Sequence, residues 1–259
     1  QKDQNGTIIS QLQCEKPIHV LFEGLNTDVF DKTDDVEVVK GLDDIPEDFC
    51  FLTVGHWLQG DFGHDRKDIG STIQVFLQTF ANKQKQPALI LKTSSATFSV
   101  CDRDEMLKRI RGIHDLTQKE LNSLYNHKKV KAMITFTHGE GFGRPLLEFS
   151  VTGKPTIATD WSGHLDFLYM PVENSKSKKI KNTPMFLKTK YNLQPVNEDS
   201  VWENVIDADS KWAFSDEKSF KKNIRSAKKS YKMHKKNALQ LQDYLRKELT
   251  HENIAKKFE

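Results

Sequence analysis

The pattern of apolar and polar positions predicts strands and helices that follow one another along the chain. Short runs rich in strand-forming residues predict strands at residues 18–22, 49–54, 87–92, 131–136 and 156–159. Between the second and third of these runs, apolar side chains recur at helical spacing, which predicts a helix over residues 69–80. Strands that alternate with helices predict an α/β fold, with a mainly parallel Rossmann-like sheet and helices on both faces.

The remaining segments are more polar. Helices are expected at residues 105–111 and 117–125, the second with a capping box formed by Thr117 and Glu120. Only residues 112–116 separate these helices, too few for a strand and two turns. Residues 175–184 are basic and predict a mobile loop. A helix is expected from Glu217, with Phe220, Ile224, Ala227 and Tyr231 on its apolar face.

A glycine-rich turn between a predicted strand and a predicted helix contains the main candidate functional residues. Gly139, Gly141 and Gly143 precede Pro145, a residue favoured at the start of helices. We expect these glycines to adopt positive φ and to bring main-chain N–H groups close to a ligand. Glu140 in the turn and Glu148 in the helix would flank that ligand, and carboxylates accept hydrogen bonds from adjacent sugar hydroxyls.

This pattern, Glu140-x7-Glu148 with an internal Gly-Phe-Gly, continues into Gly-Lys-Pro-Thr-Ile-Ala-Thr-Asp at residues 153–160 and Trp-Ser-Gly-His-Leu-Asp at residues 161–166. It resembles the donor-binding, carboxyl-terminal half of the retaining GT-B glycosyltransferases of family 4. The resemblance covers roughly residue 18 to the end of the chain. It implies that Glu140 holds hydroxyls of the donor sugar and that Glu148 holds the ribose. It also implies that the segment Gly141, Phe142, Gly143 and Arg144 approaches the sugar and the diphosphate.

The resemblance also implies cations for the diphosphate. Lys67 matches the phosphate lysine of the family, and Arg66 beside it could grip phosphate oxygens with its planar fork. His56 stands where the family has an arginine. Lys92 follows a strand, at the edge where parallel sheets bind ligands, and is either one more phosphate cation or a solvated residue. The segment Glu23-Gly24-Leu25-Asn26 resembles the entry into the donor domain.

The implied reaction is transfer of a hexose from a UDP- or GDP-linked donor to an unknown acceptor, which could be a glycan, a lipid, a protein or a modified nucleic acid. The resemblance implies retention of configuration and neither a metal nor a further cofactor. Residues 1–259 are expected to form one donor-binding domain, with a leading segment at 1–17 and basic helices at 217–259. The chain has no room for the family's N-terminal acceptor domain, so a partner domain or chain would supply the acceptor site. We therefore expect poor transfer to an added acceptor by this chain alone.

Other functions stay open. Gly139-x-Gly141-x-Gly143 after a strand, with Asp160 ending the next strand, also suggests an NAD(P)-type oxidoreductase, although the third glycine of that fingerprint would fall at Leu146. A sugar-nucleotide-binding module without catalysis and a purely structural turn are further alternatives. His56, Asp61, His64 and Asp65 follow no metal-ligand spacing, so we expect no metal.

Composition limits the cellular compartment and the partners that we expect. No apolar run approaches the length of a membrane span, the first residues are not a signal peptide, and three widely spaced cysteines fit reduced thiols, so we expect a cytoplasmic protein. A net charge of +3 does not by itself indicate nucleic acid. Residues 218–236 nevertheless hold nine Lys or Arg and no acid. Such a face is either a solvated helix surface or a contact for an anionic membrane or nucleic acid.

Overall fold

The structure is a computed structural model that describes residues 15–37, 39, 41–57, 65–93, 116–202 and 205–256. Its helices and strands, in chain order, are β1 (Cys50–Val54), α1 (Ile69–Phe80), β2 (Ala88–Lys92), α2 (Gln118–Asn126), β3 (Val130–Ile134), α3 (Arg144–Ser150), β4 (Thr156–Thr159), α4 (Leu165–Leu168), β5 (Tyr169–Glu173), β6 (Ile180–Pro184), β7 (Leu187–Thr189), β8 (Tyr191–Pro195), β9 (Lys211–Ser215), α5 (Glu217–Lys229), α6 (Tyr231–Glu248) and α7 (His251–Ala255).

A parallel sheet organises the described residues. Five strands lie in the order β2-β1-β3-β4-β7, and each neighbouring pair is parallel. Two antiparallel hairpins, β5–β6 and β8–β9, stand outside this sheet. Because all five strands point the same way, the segments that follow β1, β2, β3, β4 and β7 meet at one carboxyl edge, where open parallel sheets bind ligands.

Both faces of the sheet are covered by helices. On one face Phe51 of β1 packs with apolar residues of α1 and α5. On the other face the next residue, Leu52, packs with residues of α2, α3 and α6. Successive side chains of a strand point to opposite faces, so a strand buried on both sides reads as a continuous apolar run. The predicted α/β fold with a parallel sheet and helices on both faces is confirmed.

Several predicted elements have the expected bounds within a residue or two. Helix α1 spans Ile69–Phe80 as predicted, and strand β4 spans Thr156–Thr159. Helix α2 carries the expected capping box, in which the Thr117 side chain accepts from the Glu120 amide and the Glu120 carboxylate accepts from the Thr117 amide. Residues 105–111 and 112–115 lie outside the described residues, so the predictions for the first helix and for the short link stay predictions.

Two predictions were wrong. Residues 18–22 form no strand, because no neighbouring strand pairs with them and Ile18 and Val20 are about four-fifths exposed, at 79% and 80%. Residues 175–184 are not simply a loop, since Ile180–Pro184 is strand β6 paired with β5. The Asn174 side chain closes that hairpin by accepting from the amides of residues 176 and 177. The helix predicted from Glu217 is confirmed. It ends at Lys229, and a second helix starts after Ser230, which has non-helical ψ of 36°, so Tyr231 lies on the second helix.

Candidate functional site

The glycine-rich turn connects β3 to α3 at the carboxyl edge of the sheet. Gly143 is the N-cap residue of α3 and has φ of 91°, a conformation that favours glycine, and Pro145 lies in the first turn. Gly139 and Gly141 do not have positive φ, so that part of the prediction was wrong. A side chain at Gly141 would meet no atom within 4 Å, which shows that the turn faces open space there.

A second loop holds the turn in place. The Ser162 hydroxyl accepts from the Glu140 amide at 2.7 Å, and the Gly163 amide donates to the Glu140 carbonyl oxygen at 3.0 Å. A Cβ atom at Gly163 would lie 2.0 Å from the carbonyl oxygen of Gly141, so only glycine permits this approach. The sequence pattern contained these residues, but no role was predicted for them.

Glu140 forms a buried ion-pair cluster with the two predicted phosphate cations. The Lys67 ammonium nitrogen lies 2.6 and 2.7 Å from the two carboxylate oxygens of Glu140, and Arg66 Nη1 lies 3.3 Å from Oε2. Burial raises the pKa of Glu140, but attraction by Lys67 and then by Arg66 outweighs burial, and the pKa lies below its usual range. The structure therefore brings together Arg66, Lys67 and Glu140, which are 73 and 74 residues apart in sequence.

The turn before α1 fixes both cations. Asp68 caps α1 by accepting from the Ser71 amide, and Asp65 accepts from the Lys67 amide at 3.1 Å. The backbone carbonyl of Arg66 accepts from the His138 amide at 2.9 Å. Gly55, directly after β1, lies beside the Lys67 stem, and a Cβ there would make ordinary van der Waals contact with its methylene carbons at 3.5 Å.

His138 and its surroundings were not predicted as part of the site. The imidazole is fully buried against the β8–β9 hairpin, where it stacks on Trp212 with ring centroids 5.3 Å apart. Its Nδ1 lies 3.0 Å from the Ala213 carbonyl oxygen, and its Nε2 lies 3.7 Å from Oδ2 of Asp68. The hairpin thereby packs behind the glycine-rich turn and the α1 cap, a long-range contact that no local pattern reveals.

Glu148 of α3 lines a pocket that Phe142 of the glycine-rich turn also lines. The Tyr125 hydroxyl donates to Oε2 of Glu148 at 3.3 Å, and Arg144 Nε lies 3.9 Å from Oε1 and 3.4 Å from the Glu23 carboxylate. Burial raises the pKa of Glu148 to about 7, although Arg144 lowers it. The pocket is small, with a cavity volume of about 10 Å³, and is open to solvent; it is lined by Glu23, Gly24, Leu25, Asn26, Phe30, Phe142, Arg144, Leu147 and Glu148. A carboxyl group with so raised a pKa in a pocket is a binding-site candidate.

Lys92 and His56 lie at the same edge but outside the Glu140 cluster. Lys92 ends β2 beside Val54 of β1, and its ammonium donates to the Thr93 carbonyl at 3.3 Å. His56 is exposed two residues beyond β1. The structure brings neither side chain into contact with Glu140, so both remain predicted donor-binding residues at the periphery.

Within the described ranges, no group of three or more His, Cys, Asp or Glu side chains is placed to hold a metal ion. Asp61 and His64 fall outside those ranges. Among the helices of the described ranges, none combines the length and apolar character that crossing a membrane requires.

Comparisons with known proteins identify the fold. No family model matches the chain, and the search of curated proteins finds no match. Among solved structures, the C-terminal domain of the glycosyl transferase group 1 family protein LpcC from Francisella tularensis is 14% identical, with a TM-score of 0.51 over 88% of this chain and 100% of that chain. Sucrose-phosphate synthase from Thermosynechococcus elongatus is 16% identical, with a TM-score of 0.58 over 93% of this chain and 50% of that chain.

A glycosyltransferase from Rickettsia africae is 13% identical, with a TM-score of 0.50 over 83% of this chain and 47% of that chain. The chain thus spans all of an isolated C-terminal domain and about half the length of the other two proteins. At these identities the likeness concerns the fold. This chain has the fold of the C-terminal domain of the GT-B glycosyltransferases of group 1.

Proposed function

We propose that this domain binds the nucleoside diphosphate sugar of a glycosyltransferase, and that it takes part in transferring the hexose with retained configuration and without a metal ion. The observation that carries the proposal is the cluster of Lys67, Arg66 and Glu140 at the carboxyl edge. Two cations contact one carboxylate there, beside an open turn. That arrangement suits a diphosphate next to a sugar.

The two kinds of charge in the cluster would serve different parts of the ligand. Lys67 and Arg66 would contact the diphosphate and stabilise the negative charge that grows on it as the glycosidic bond breaks. Glu140 would accept hydrogen bonds from the sugar hydroxyls. Since Lys67 already touches both oxygens of Glu140, one ammonium would link the sugar end of the ligand to its diphosphate end.

The remaining predicted residues extend the site from this cluster. The backbone at Gly141, Phe142 and Gly143 would line the path of the diphosphate. Glu148 and Arg144 would meet the ribose, in the pocket that Phe142 helps to form. Lys92 and His56 would contribute from the rim, with UDP or GDP as the nucleotide.

The geometry gives less support to an NAD(P)-type oxidoreductase. Leu146 of α3, at the position of the third fingerprint glycine, has its side chain buried in the core. Asp160, the ribose ligand in that alternative, accepts from the Tyr169 hydroxyl at 2.7 Å and pairs with Lys188 at 2.8 Å. Both residues therefore have structural roles that a dinucleotide site would not predict.

A thermal-stability screen tests the proposal. We expect UDP- or GDP-linked hexoses to protect the domain against unfolding, by about 2.7 kcal/mol at one hundred times Kd, and NAD(P) to give no protection. Lys67→Ala should remove the protection, because it deletes the main diphosphate contact. Protection by NAD(P) alone would refute the proposal.

Transfer itself needs a second measurement. Release of a labelled hexose to water or to an acceptor, in reactions where Glu140→Gln is much slower, would support an enzyme. Tight donor binding with no release under any condition would instead indicate a binding module.

A further inference from the structure

The cations of residues 218–236 divide into two sets in the structure. Three of them form hydrogen bonds with other residues of the domain or are partly buried in it. Lys221 donates to the Glu217 carboxylate, Lys228 donates to the carbonyl of Lys85, and Lys235 is half-buried. Lys221 and Lys228 are seven residues apart on α5, so they lie on the side that faces the rest of the domain, and Lys235 lies on α6.

The other six cations are exposed, and no hydrogen bond or ion pair joins them to any part of the chain that the structure describes. They are Lys218, Lys222, Arg225, Lys229, Lys232 and Lys236. Their spacing alternates between four and three residues. At 3.6 residues per turn, the four cations on α5 fall within an arc of about 60° and extend over about 16 Å. We call these four residues the α5 basic stripe.

The opposite face of α5 is already used. Phe220, Ile224 and Ala227 are fully buried in the core, and Phe220 packs edge-on against Phe136. The helix therefore has no free apolar face with which to enter a bilayer or to bind an apolar groove. Any partner of the stripe must be recognised through charge at its surface.

Like charges at this spacing repel one another, and no acid between residues 218 and 236 offsets the repulsion. The stripe also offers no aromatic side chain on which the bases of a single-stranded nucleic acid could stack. The aromatic residues of the segment, Phe220 and Tyr231, pack inward, Tyr231 against Phe49, so no ring is available for base stacking. The Asn223 amide is bound to the Lys188 carbonyl. A straight row of mostly lysine side chains instead fits a flat surface of diffuse negative charge.

The stripe starts at the same edge as the candidate donor site. The amide of Asp216, the N-cap residue of α5, donates to the carbonyl of Lys190, directly beyond β7. At its other end α5 reaches Lys85, which precedes β2. A surface that meets the stripe would therefore lie alongside the sheet, with the glycine-rich turn near its margin.

We infer that the α5 basic stripe docks this domain on the surface of an anionic lipid bilayer. The contact is electrostatic, involves no insertion, and weakens with salt. It does not depend on the donor chemistry proposed above, so either can fail without the other.

Vesicle co-sedimentation tests the inference. The wild-type chain should bind vesicles of phosphatidylcholine with phosphatidylserine at low salt, should dissociate at high salt, and should ignore pure phosphatidylcholine. Each removed cation should weaken binding about fivefold, the factor that corresponds to about 1 kcal/mol per basic residue near such a surface. Changing all four stripe residues to Gln should therefore weaken binding by at least about 100-fold.

A charge-matched variant provides the control. Lys176, Lys178, Lys179 and Lys181 are equally exposed, but they lie on the β5–β6 hairpin. Changing these four to Gln alters the net charge by the same amount, and we expect a loss below about tenfold. Both variants should keep the wild-type melting temperature, since the altered side chains are exposed. Equal losses in the two variants, or tighter binding to duplex DNA or single-stranded RNA than to the vesicles at the same salt, would overturn the inference.

Discussion

Replacing Glu148 by Gln should stabilise the protein at alkaline pH, although the change is in the candidate site. The folded protein holds the pKa of Glu148 at about 7, against an ordinary value of 4.5, because burial disfavours the charged form. A group with a raised folded pKa contributes its full stability below the unfolded pKa and loses it as pH rises through the folded pKa. Each factor of ten in acidity is worth about 1.4 kcal/mol, so the full difference is about 3 kcal/mol above pH 7.

The Glu148 side chain is 11% exposed, and solvent screening reduces that figure, so we expect Glu148→Gln to gain about 1 to 3 kcal/mol at pH 8 relative to pH 5. The glutamine oxygen can still accept from the Tyr125 hydroxyl, so the comparison removes the charge and little else. Urea unfolding of both proteins at the two pH values measures the gain. Glu120→Gln is the control with the opposite sign, because hydrogen bonds from Thr117 lower the pKa of Glu120, and its loss of charge should lower stability at pH 8. A Glu148→Gln variant that is less stable than wild type at pH 8 would refute the reasoning.

Other predictions concern the same site. Lys67→Met should lower the free energy of unfolding by about 2 to 3 kcal/mol at pH 7 and by less at pH 4, because only Arg66 then opposes the rise in the pKa of Glu140 that burial causes. Urea unfolding measures both values. Gly163→Ala should cost about 1 to 3 kcal/mol through its clash with the Gly141 carbonyl, while Gly141→Ala, in open space, should cost less than about 1 kcal/mol by the same measurement. Affinity for the nucleoside diphosphate hexose, whose diphosphate stays fully ionised in this range, should rise between pH 5.5 and 8 in wild type as Glu148 ionises. In Glu148→Gln it should stay nearly constant, and titrations at each pH measure both.

The elements that depend on local pattern could be predicted from the sequence. Helix α1 has its apolar face, its length and its polar flanks within twelve consecutive residues, and its predicted bounds were confirmed. The capping box at Thr117 likewise needs only four residues. The apolar run at residues 18–22 could form a strand only beside another strand, and none pairs with it in the described part of the chain. Strand β6 forms from a basic segment because the backbone of β5 pairs with it. Whether these two segments form strands therefore depends on pairing with another strand, which local sequence pattern does not predict.

The candidate site likewise has features that the sequence predicted and features that it did not. The sequence predicted that Lys67, Arg66 and Glu140 would serve one ligand, and the structure places them in direct contact. The sequence did not predict that Glu140 and Lys67 would form an ion pair with each other, because the two residues are 73 positions apart and no local pattern links them. It also assigned no role to Ser162 and Gly163, whose backbone approach to the turn becomes visible only when β3 and β4 lie side by side.

That ion pair changes what is expected of Glu140→Gln. Removing the carboxylate leaves Lys67 and Arg66 without their counter-charge, so affinity for a nucleoside diphosphate should stay the same or increase. The sugar contacts should weaken by about 1.5 to 3 kcal/mol, the worth of a hydrogen bond to a charged group.

Calorimetric titration tests the assignment of sugar to Glu140 and of diphosphate to Lys67 most directly. Wild type, Glu140→Gln and Lys67→Ala are each titrated with the nucleoside diphosphate selected by the stability screen and with its hexose conjugate. Lys67→Ala should weaken both ligands, and Glu140→Gln should weaken the conjugate alone. Equal losses for both ligands in Glu140→Gln would contradict a sugar contact and would leave Glu140 as a residue that only holds the turn.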